Sequence, residues 1–280
     1  METEKPARTA PPSWLRSLWA RLLLLLIVFV ALDGILAPLN SKAVRHPITG
    51  VLVGVATAAL ALVVYWKLVG WLEQRRTPEI GLSTMRPLLL RGTAAGIGLF
   101  TLTLALILAC NGYRLHGGSL GDMIATFGMM VGVATLEELL FRGVLFRVVE
   151  ERFGTVVALA VSGLLFGGLH LINPDGTVWG ALSIAVEGGL MLGAAYVLTR
   201  SLWLPIGLHL GWNFAESGIF GGTVSGSEGK VGGLLTGVPH GPAIISGGDF
   251  GPEASIFAIL VCGAAAFVMI RRARRKGTWQ

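Results

Sequence analysis

Two adjacent carboxylates lie within an otherwise apolar stretch of this 280-residue sequence. Glu137 and Glu138 are followed by Arg142 in the segment Thr135–Gly143. On an α-helix, Glu138 and Arg142 lie four residues apart on one face, which allows an ion pair, whereas Glu137 points about 100° away. A charge placed in lipid costs several kcal/mol, so such a residue usually faces a protected interior and has a function. The spacing therefore predicts a buried pair and a second carboxylate, Glu137, that is available for chemistry.

Two histidines and an asparagine occur in similarly apolar surroundings. One histidine ends the run Phe166-Gly-Gly-Leu-His170. The other residues belong to His209-Leu-Gly-Trp-Asn213, and their four-residue spacing places both on one helix face. Each signal alone is typical of a helix–helix hydrogen bond. Their occurrence together with a free carboxylate favours a functional site.

A hairpin that turns at Phe153–Gly154 would bring two of these residues to one height. Glu137 and His170 then both lie about 24 Å from the turn, at about 1.5 Å per residue. His209 is only about 10 Å from the predicted start of its own helix at Leu202. All three can meet if the hairpin projects beyond the other helices, or if the helix that carries His209 begins earlier.

A carboxylate, two histidines and an asparagine in a water-accessible cavity could hydrolyse a peptide bond. A desolvated glutamate can take a proton from water, and a histidine can orient that water or protonate the leaving amine. A histidine and an amide NH₂ can donate hydrogen bonds to a developing oxyanion. The alternative is a zinc site, in which His170, His209 and Glu137 would supply three ligands and leave one position open.

The three motifs resemble those of the CAAX protease and bacteriocin-processing family, which includes the type II CAAX prenyl endopeptidases. The segment from Glu137 to Arg142 is similar to its EExxxR motif. The run Phe166–His170 is similar to FxxxH, and His209–Asn213 is similar to HxxxN. The motifs follow the family's order, and the resemblance covers about residues 120–226. We treat this segment as the predicted catalytic core of a single membrane domain, residues 1–280.

The resemblance implies a helical intramembrane endopeptidase and a role for each motif residue. Glu137 would activate water with the assistance of His170, and His209 and Asn213 would form an oxyanion hole. Glu138 and Arg142 would support this arrangement. Members of the family are described both as metalloproteases and as metal-free glutamate proteases. We expect the metal-free chemistry, with no cofactor required and with zinc as the alternative.

The composition predicts an all-α fold, a polytopic membrane bundle of about eight helices around an intramembrane catalytic cavity. Hydrophobic residues make up 53% of the chain and charged residues only 14%, and the mean hydropathy is +0.71. A soluble domain carries roughly 25% charged residues. Apolar runs of about 20 residues are long enough to cross a bilayer. The eight candidates are Leu18–Leu39, Ile48–Leu72, Leu88–Cys110, Leu120–Val149, Thr155–Ile172, Val178–Thr199, Leu202–Phe220 and Ala254–Ile270.

The distribution of the basic residues predicts a topology with both termini in the cytoplasm. With eight spans, sixteen of the 22 Lys and Arg residues fall on the cytoplasmic side and two within the apolar runs. The remaining four, on the other side, are Lys42, Arg45, Arg114 and Lys230. This is a positive-inside bias. We therefore expect a multi-pass protein, in the inner membrane if the host is bacterial, with the lipid bilayer and no nucleic acid as partner.

Two further features have no motif to explain them. The glycine-rich segment 217–252 has the composition of a flexible surface loop, which we interpret as a connector, with a lid over a cavity as the alternative. Glu187 is a charge within the sixth apolar run. We interpret Glu187 as a protonated or paired helix-contact residue, with a role in binding substrate as the alternative.

The leading hypothesis is an endopeptidase that acts on a membrane-associated protein or peptide. The competing class is a non-catalytic bacteriocin-immunity or scaffold protein on the same fold. A scaffold has no need of Glu137, His170 and Asn213 together, and this favours the protease. A transporter with a proton relay is a third, weaker hypothesis, because the sequence shows no internal repeat.

Overall fold

The computed structural model describes residues 10–227 and 232–280. Lys5, Arg8 and Lys230, which enter the count of basic residues above, lie outside these ranges. The α-helices are α1 (Leu18–Ala43), α2 (Pro47–Leu72), α3 (Leu82–Ala109), α4 (Leu120–Glu138), α5 (Arg147–Leu169), α6 (Val178–Ile184), α7 (Leu192–Thr199), α8 (Trp203–Asn213), α9 (Ala243–Ser246) and α10 (Ile256–Lys276). Three π-helical segments continue helices of the bundle, namely π1 (Leu139–Phe146), π2 (Ala185–Met191) and π3 (Phe214–Ile219).

The predicted all-α, polytopic membrane bundle is confirmed. Six helices in the described ranges are long and apolar enough to cross a membrane. Each of the eight predicted segments is helical, but they form fewer separate long helices than the sequence suggested. The fourth and fifth are continuous over Leu120–Ile172, with a kink at Gly154, whose φ of 78° is a conformation that glycine adopts without strain. The seventh, from Trp203 to Ile219, is shorter than the other spans.

Close contact between α3 and α8 fixes the helix that carries His209 and Asn213. A Cβ atom added to Gly96 would lie 2.2 Å from the carbonyl oxygen of Leu208. One added to Gly211 would lie 2.1 Å from the carbonyl oxygen of Thr93. The glycines therefore let the two backbones touch, as small residues do between membrane helices. Any larger residue would push α8 away from α3 and move the polar side chains of α8.

Segments that the count of basic residues assigned to the cytoplasmic side lie close together at one end of the bundle. The backbone N–H of Thr155, next to the kink, donates to the carbonyl of Gln280 at 3.0 Å. Arg200 Nε donates to the carbonyl of Thr278 at 3.0 Å. The N–H of Leu202 donates to the carbonyl of Glu79 at 2.8 Å. The kink at Gly154, the connection between α2 and α3, the connection between α7 and α8, and the C-terminus thus lie together.

The glycine-rich segment contains a strand that the sequence did not predict. Strand β1 (Tyr113–Gly117) pairs antiparallel with β2 (Leu235–Pro239). The pair forms a two-stranded sheet. It ties the segment after α8 to the connection between α3 and α4. The composition gave no strand signal because glycine is unfavourable in strands and the pairing depends on a distant partner.

Candidate active site

The ion pair that the sequence spacing allowed is present and completely buried. Arg142 Nη1 donates to Glu138 Oε1 at 2.7 Å, and both side chains are 0% exposed. Arg142 Nη2 also donates to the carbonyl of Gly189, in π2, at 3.3 Å. Desolvating two charges is expensive, so such a pair persists only where geometry and further hydrogen bonds are favourable. The pair thereby connects the α4–π1 junction to π2.

His209 contacts both adjacent carboxylates. Its Nδ1 lies 3.0 Å from Glu138 Oε1 and its Nε2 lies 3.8 Å from Glu137 Oε2. A carboxylate only accepts hydrogen bonds, so Nδ1–H is the donor to Glu138. The amide nitrogen of Asn213 lies 3.2 Å from Nε2. In the neutral ring Nε2 therefore accepts from Asn213, which keeps a second amide hydrogen for another acceptor.

The two adjacent carboxylates occupy different environments. Glu138 is enclosed by Arg142 and His209, whereas the side chain of Glu137 is 28% exposed and lines a cavity. The helix passes into π1 directly after Glu138. Short π-helical insertions are frequent at functional sites, because they change the direction of the side chains that follow. The sequence periodicity gave no indication of π1.

His170 reaches the same cavity from the end of α5. Its Nδ1 donates to the carbonyl of Phe166 at 2.7 Å, and Nε2 has no hydrogen-bond partner among the residues that the structure describes. The ring of Phe166 lies 5.1 Å from the ring of His170 and 6.1 Å from that of His209. The guanidinium carbon of Arg142 lies 5.0 Å from the Phe166 ring centroid. Phe166 thus packs against both histidines and against the buried cation.

A cavity of about 260 Å³ joins these residues. Glu137, His170, His209 and Asn213 all line it. The described lining residues do not include Glu138 or Arg142, which lie behind the wall. Four of the six predicted site residues therefore line one cavity, and the other two, Glu138 and Arg142, are buried beside it. Helix α8 begins at Trp203, so an earlier start of this helix does not explain how the residues meet.

Sequence reasoning did not identify Glu253 and Ser225 as residues of the cavity wall. Glu253, just before α10, accepts hydrogen bonds from Trp212 Nε1 at 2.9 Å and from the Ser225 hydroxyl at 2.6 Å. Glu253 and Ser225 both line the cavity. Ser225 belongs to the glycine-rich segment that we had interpreted as a connector. No local pattern marks either residue, since their proximity depends on how the chain returns to α8.

The arrangement does not fit a zinc site built from His170, His209 and Glu137. A histidine ligand must present a nitrogen lone pair to the metal. Both nitrogens of His209 already have partners, Glu138 at Nδ1 and Asn213 at Nε2. Across the described residues, no group of three His, Cys, Asp or Glu side chains is arranged to hold a metal ion.

Part of the chain that forms this cavity is similar to a known protein family. Residues 119–215 match the family model described as "Type II CAAX prenyl endopeptidase Rce1-like". Comparisons with curated proteins and with solved structures give no significant match. The matched segment is about a third of the chain and contains all three motifs. Over this segment, the chain is therefore similar to the type II CAAX prenyl endopeptidases, in agreement with the resemblance that the motifs indicated.

Proposed function

We propose that this protein is an intramembrane endopeptidase that hydrolyses a peptide bond of a membrane-associated protein or peptide. The observation that carries the proposal is the exposure of Glu137 to a cavity that also holds His170, His209 and Asn213. A buried ion pair fixes one of these histidines through Glu138. A catalytic group needs this combination of access to water and rigid positioning.

Glu137 acts as the general base in the proposed mechanism. Its carboxylate takes a proton from a water molecule while the water oxygen forms a bond to the carbonyl carbon of the peptide. The electrons of the carbonyl double bond move onto its oxygen, which becomes an oxyanion. The Nε2 atom of His170 accepts the second hydrogen bond of the water and so orients the attack.

Asn213 and His209 stabilise the oxyanion. The second amide hydrogen of Asn213 is the first donor, because the other hydrogen is directed at His209 Nε2. His209 is a second donor in its imidazolium form, whose extra proton on Nε2 is taken from solvent before the reaction and is retained throughout; in that form Nε2 no longer accepts from Asn213. Glu138 accepts from Nδ1 in either state, so the ring keeps its orientation throughout the reaction. Donors fixed in this way need no reorganisation as the charge develops.

Collapse of the tetrahedral intermediate completes hydrolysis. The carbonyl double bond re-forms, the carbon–nitrogen bond breaks, and the leaving nitrogen receives the proton that Glu137 took from water. His170 passes this proton by accepting it at Nε2 and donating it to the nitrogen. The products are a carboxylic acid and an amine, and Glu137 returns to its starting state.

The similarity to membrane proteases and the distribution of charge support a location for the reaction. We propose a multi-pass protein of the inner membrane, with both termini in the cytoplasm and the site close to the cytoplasmic surface. His209 supports this depth, because it lies only six residues after the start of α8 at Trp203. A substrate then needs a segment that lies in or against the lipid.

The proposal is tested by comparing the membrane proteomes of cells that express wild type or Glu137→Gln. New amino termini in membrane-associated proteins, present with wild type and absent with the variant, are the expected result. The amide of Gln is nearly isosteric with the carboxylate but cannot take the proton. Identical sets of termini, together with a phenotype that the variant rescues, would instead favour a non-catalytic immunity or scaffold protein.

A further inference from the structure

Glu187 is a buried carboxylate that the mechanism above does not use. It lies in π2, and its side chain is 3% exposed. Neither of its carboxylate oxygens has a hydrogen-bond partner in the described part of the chain. Glu138 and Glu253 are buried to a similar degree, but Arg142 and Trp212 donate to them. An ionised carboxylate that is buried without a donor is costly, so such a group is either neutral or paired with a cation.

The cavity offers Glu187 a place for that partner. Glu187 lines the same cavity as Glu137 and Glu253. The described lining residues include these three carboxylates and neither a lysine nor an arginine. The wall is thus rich in acceptors and poor in cations. A ligand that complements it carries an ammonium or a guanidinium group, which donates several hydrogen bonds and brings positive charge.

The position of Glu187 relative to the proposed reaction site is fixed by its neighbours. A Cβ atom on Gly188 would lie 2.1 Å from the ring of Phe166, so the backbone of π2 rests directly on that ring. The carbonyl of Gly189 accepts from Arg142 at 3.3 Å. Phe166 also contacts His170 and His209. A group bound by Glu187 is therefore held at a constant offset from the groups that would cleave the peptide.

We propose that Glu187 forms a cation-binding subsite of the cavity, which receives a basic group of the peptide close to the bond that is cleaved. This inference rests on the proposed function and adds the chemical class of the substrate. The basic group is a lysine or arginine side chain or a free amino terminus. The glycines beside Glu187 allow the close packing that places the carboxylate in the wall.

The test uses the full-length protein in proteoliposomes and membrane-anchored peptides that differ at one position. A peptide with a single lysine near its centre is compared with its glutamine analogue, each with a free or an acetylated amino terminus. Binding is measured to the Glu137→Gln protein, so that turnover does not interfere. Cleavage is measured with wild type.

We expect the lysine peptide to bind at least ten-fold more tightly than the glutamine peptide, and Glu187→Gln to remove this difference. A charge-assisted hydrogen bond of about 1.5–3 kcal/mol corresponds to a factor of roughly 10 to 150. If acetylation and not the lysine abolishes binding, the basic group is the amino terminus. Glu216→Gln is the matched control, because Glu216 is a similarly buried carboxylate that is not part of the described lining.

Two results separate this inference from the proposed function. If wild type cleaves none of the peptides but lysine-dependent binding is lost in Glu187→Gln, the endopeptidase function fails and the subsite stands. If wild type cleaves peptides without preference for a basic group, or if Glu187→Gln keeps the preference, the subsite is wrong and the endopeptidase stands. Equal binding of all peptides to the Glu137→Gln protein also overturns the subsite.

Discussion

The Nδ1 atom of His209 lies 3.0 Å from Oε1 of Glu138, the same oxygen that accepts the hydrogen bond from Arg142. One carboxylate oxygen thus joins a completely buried cation to a ring that lines the cavity. The side chain of the adjacent Glu137 is 28% exposed, lies 3.8 Å from His209 Nε2 and faces the cavity. The two neighbouring glutamates therefore lie in different environments, on which the roles proposed for them depend.

The first prediction is that the two glutamates differ in their effect on stability. Glu138→Gln leaves Arg142 without its counter-charge in a site with 0% exposure, and losing one partner of a buried pair costs about 3–5 kcal/mol. Its melting temperature in detergent should fall by several degrees. Glu137→Gln, the matched control, should melt like wild type because Glu137 is 28% exposed. Equal melting temperatures for the two variants would contradict the assignment.

The second prediction concerns the contact between α3 and α8. Gly96→Ala places a methyl group 2.2 Å from the Leu208 carbonyl, so α8 must move and His209 must move with it. We expect lower thermal stability and at least a ten-fold loss of turnover. Gly98→Ala on the same helix is the control, since a Cβ atom there meets nothing within 4 Å. Activity of Gly96→Ala equal to that of Gly98→Ala would show that α3 does not position the site.

The third prediction concerns topology. Reporter fusions after Gln280 and within the connection 73–86 should both report the cytoplasm, and fusions near Ser227 should report the opposite side. The contacts of Thr155 with Gln280 and of Leu202 with Glu79 hold the first two positions at one end of the bundle. A cytoplasmic signal near Ser227 would break the proposed orientation.

Much of the helical fold, and part of the site, can be predicted from the sequence. The positions of the helices along the chain follow from runs of apolar residues, and the pair of Glu138 with Arg142 follows from a four-residue spacing. The spacing around Gly154 also indicated that Glu137 and His170 would meet at one depth, and both line the cavity. These features depend on local periodicity, which a single sequence records.

The features of the fold and of the site that the sequence did not predict depend on contacts between distant segments. The three π-helical segments have no periodicity of their own, because each is set by how its helix packs. Glu253 and Ser225 lie together only because the segment after α8 folds back over Trp212. Glu187 was visible as a charge in an apolar run, but its place in the cavity wall depends on the packing of π2 against Phe166.

The fourth prediction separates catalysis from binding at Asn213. Asn213→Ala removes the first proposed donor to the oxyanion, and the loss of one such donor usually lowers kcat by about 100- to 1000-fold. We expect KM to change little, because the contact forms in the transition state. A rise in KM with unchanged kcat would make Asn213 a substrate-binding residue.

The central claim is that the carboxylate of Glu137, and not a metal ion, activates water. Its most direct test measures the zinc content and the peptidase activity of the same purified preparation, before and after extended chelation. We predict well under one equivalent of zinc per chain and unchanged activity, because both nitrogens of His209 are already occupied by Glu138 and Asn213. One tightly bound zinc ion per chain, lost together with the activity and restored with it, would contradict the account and make His170 and His209 ligands.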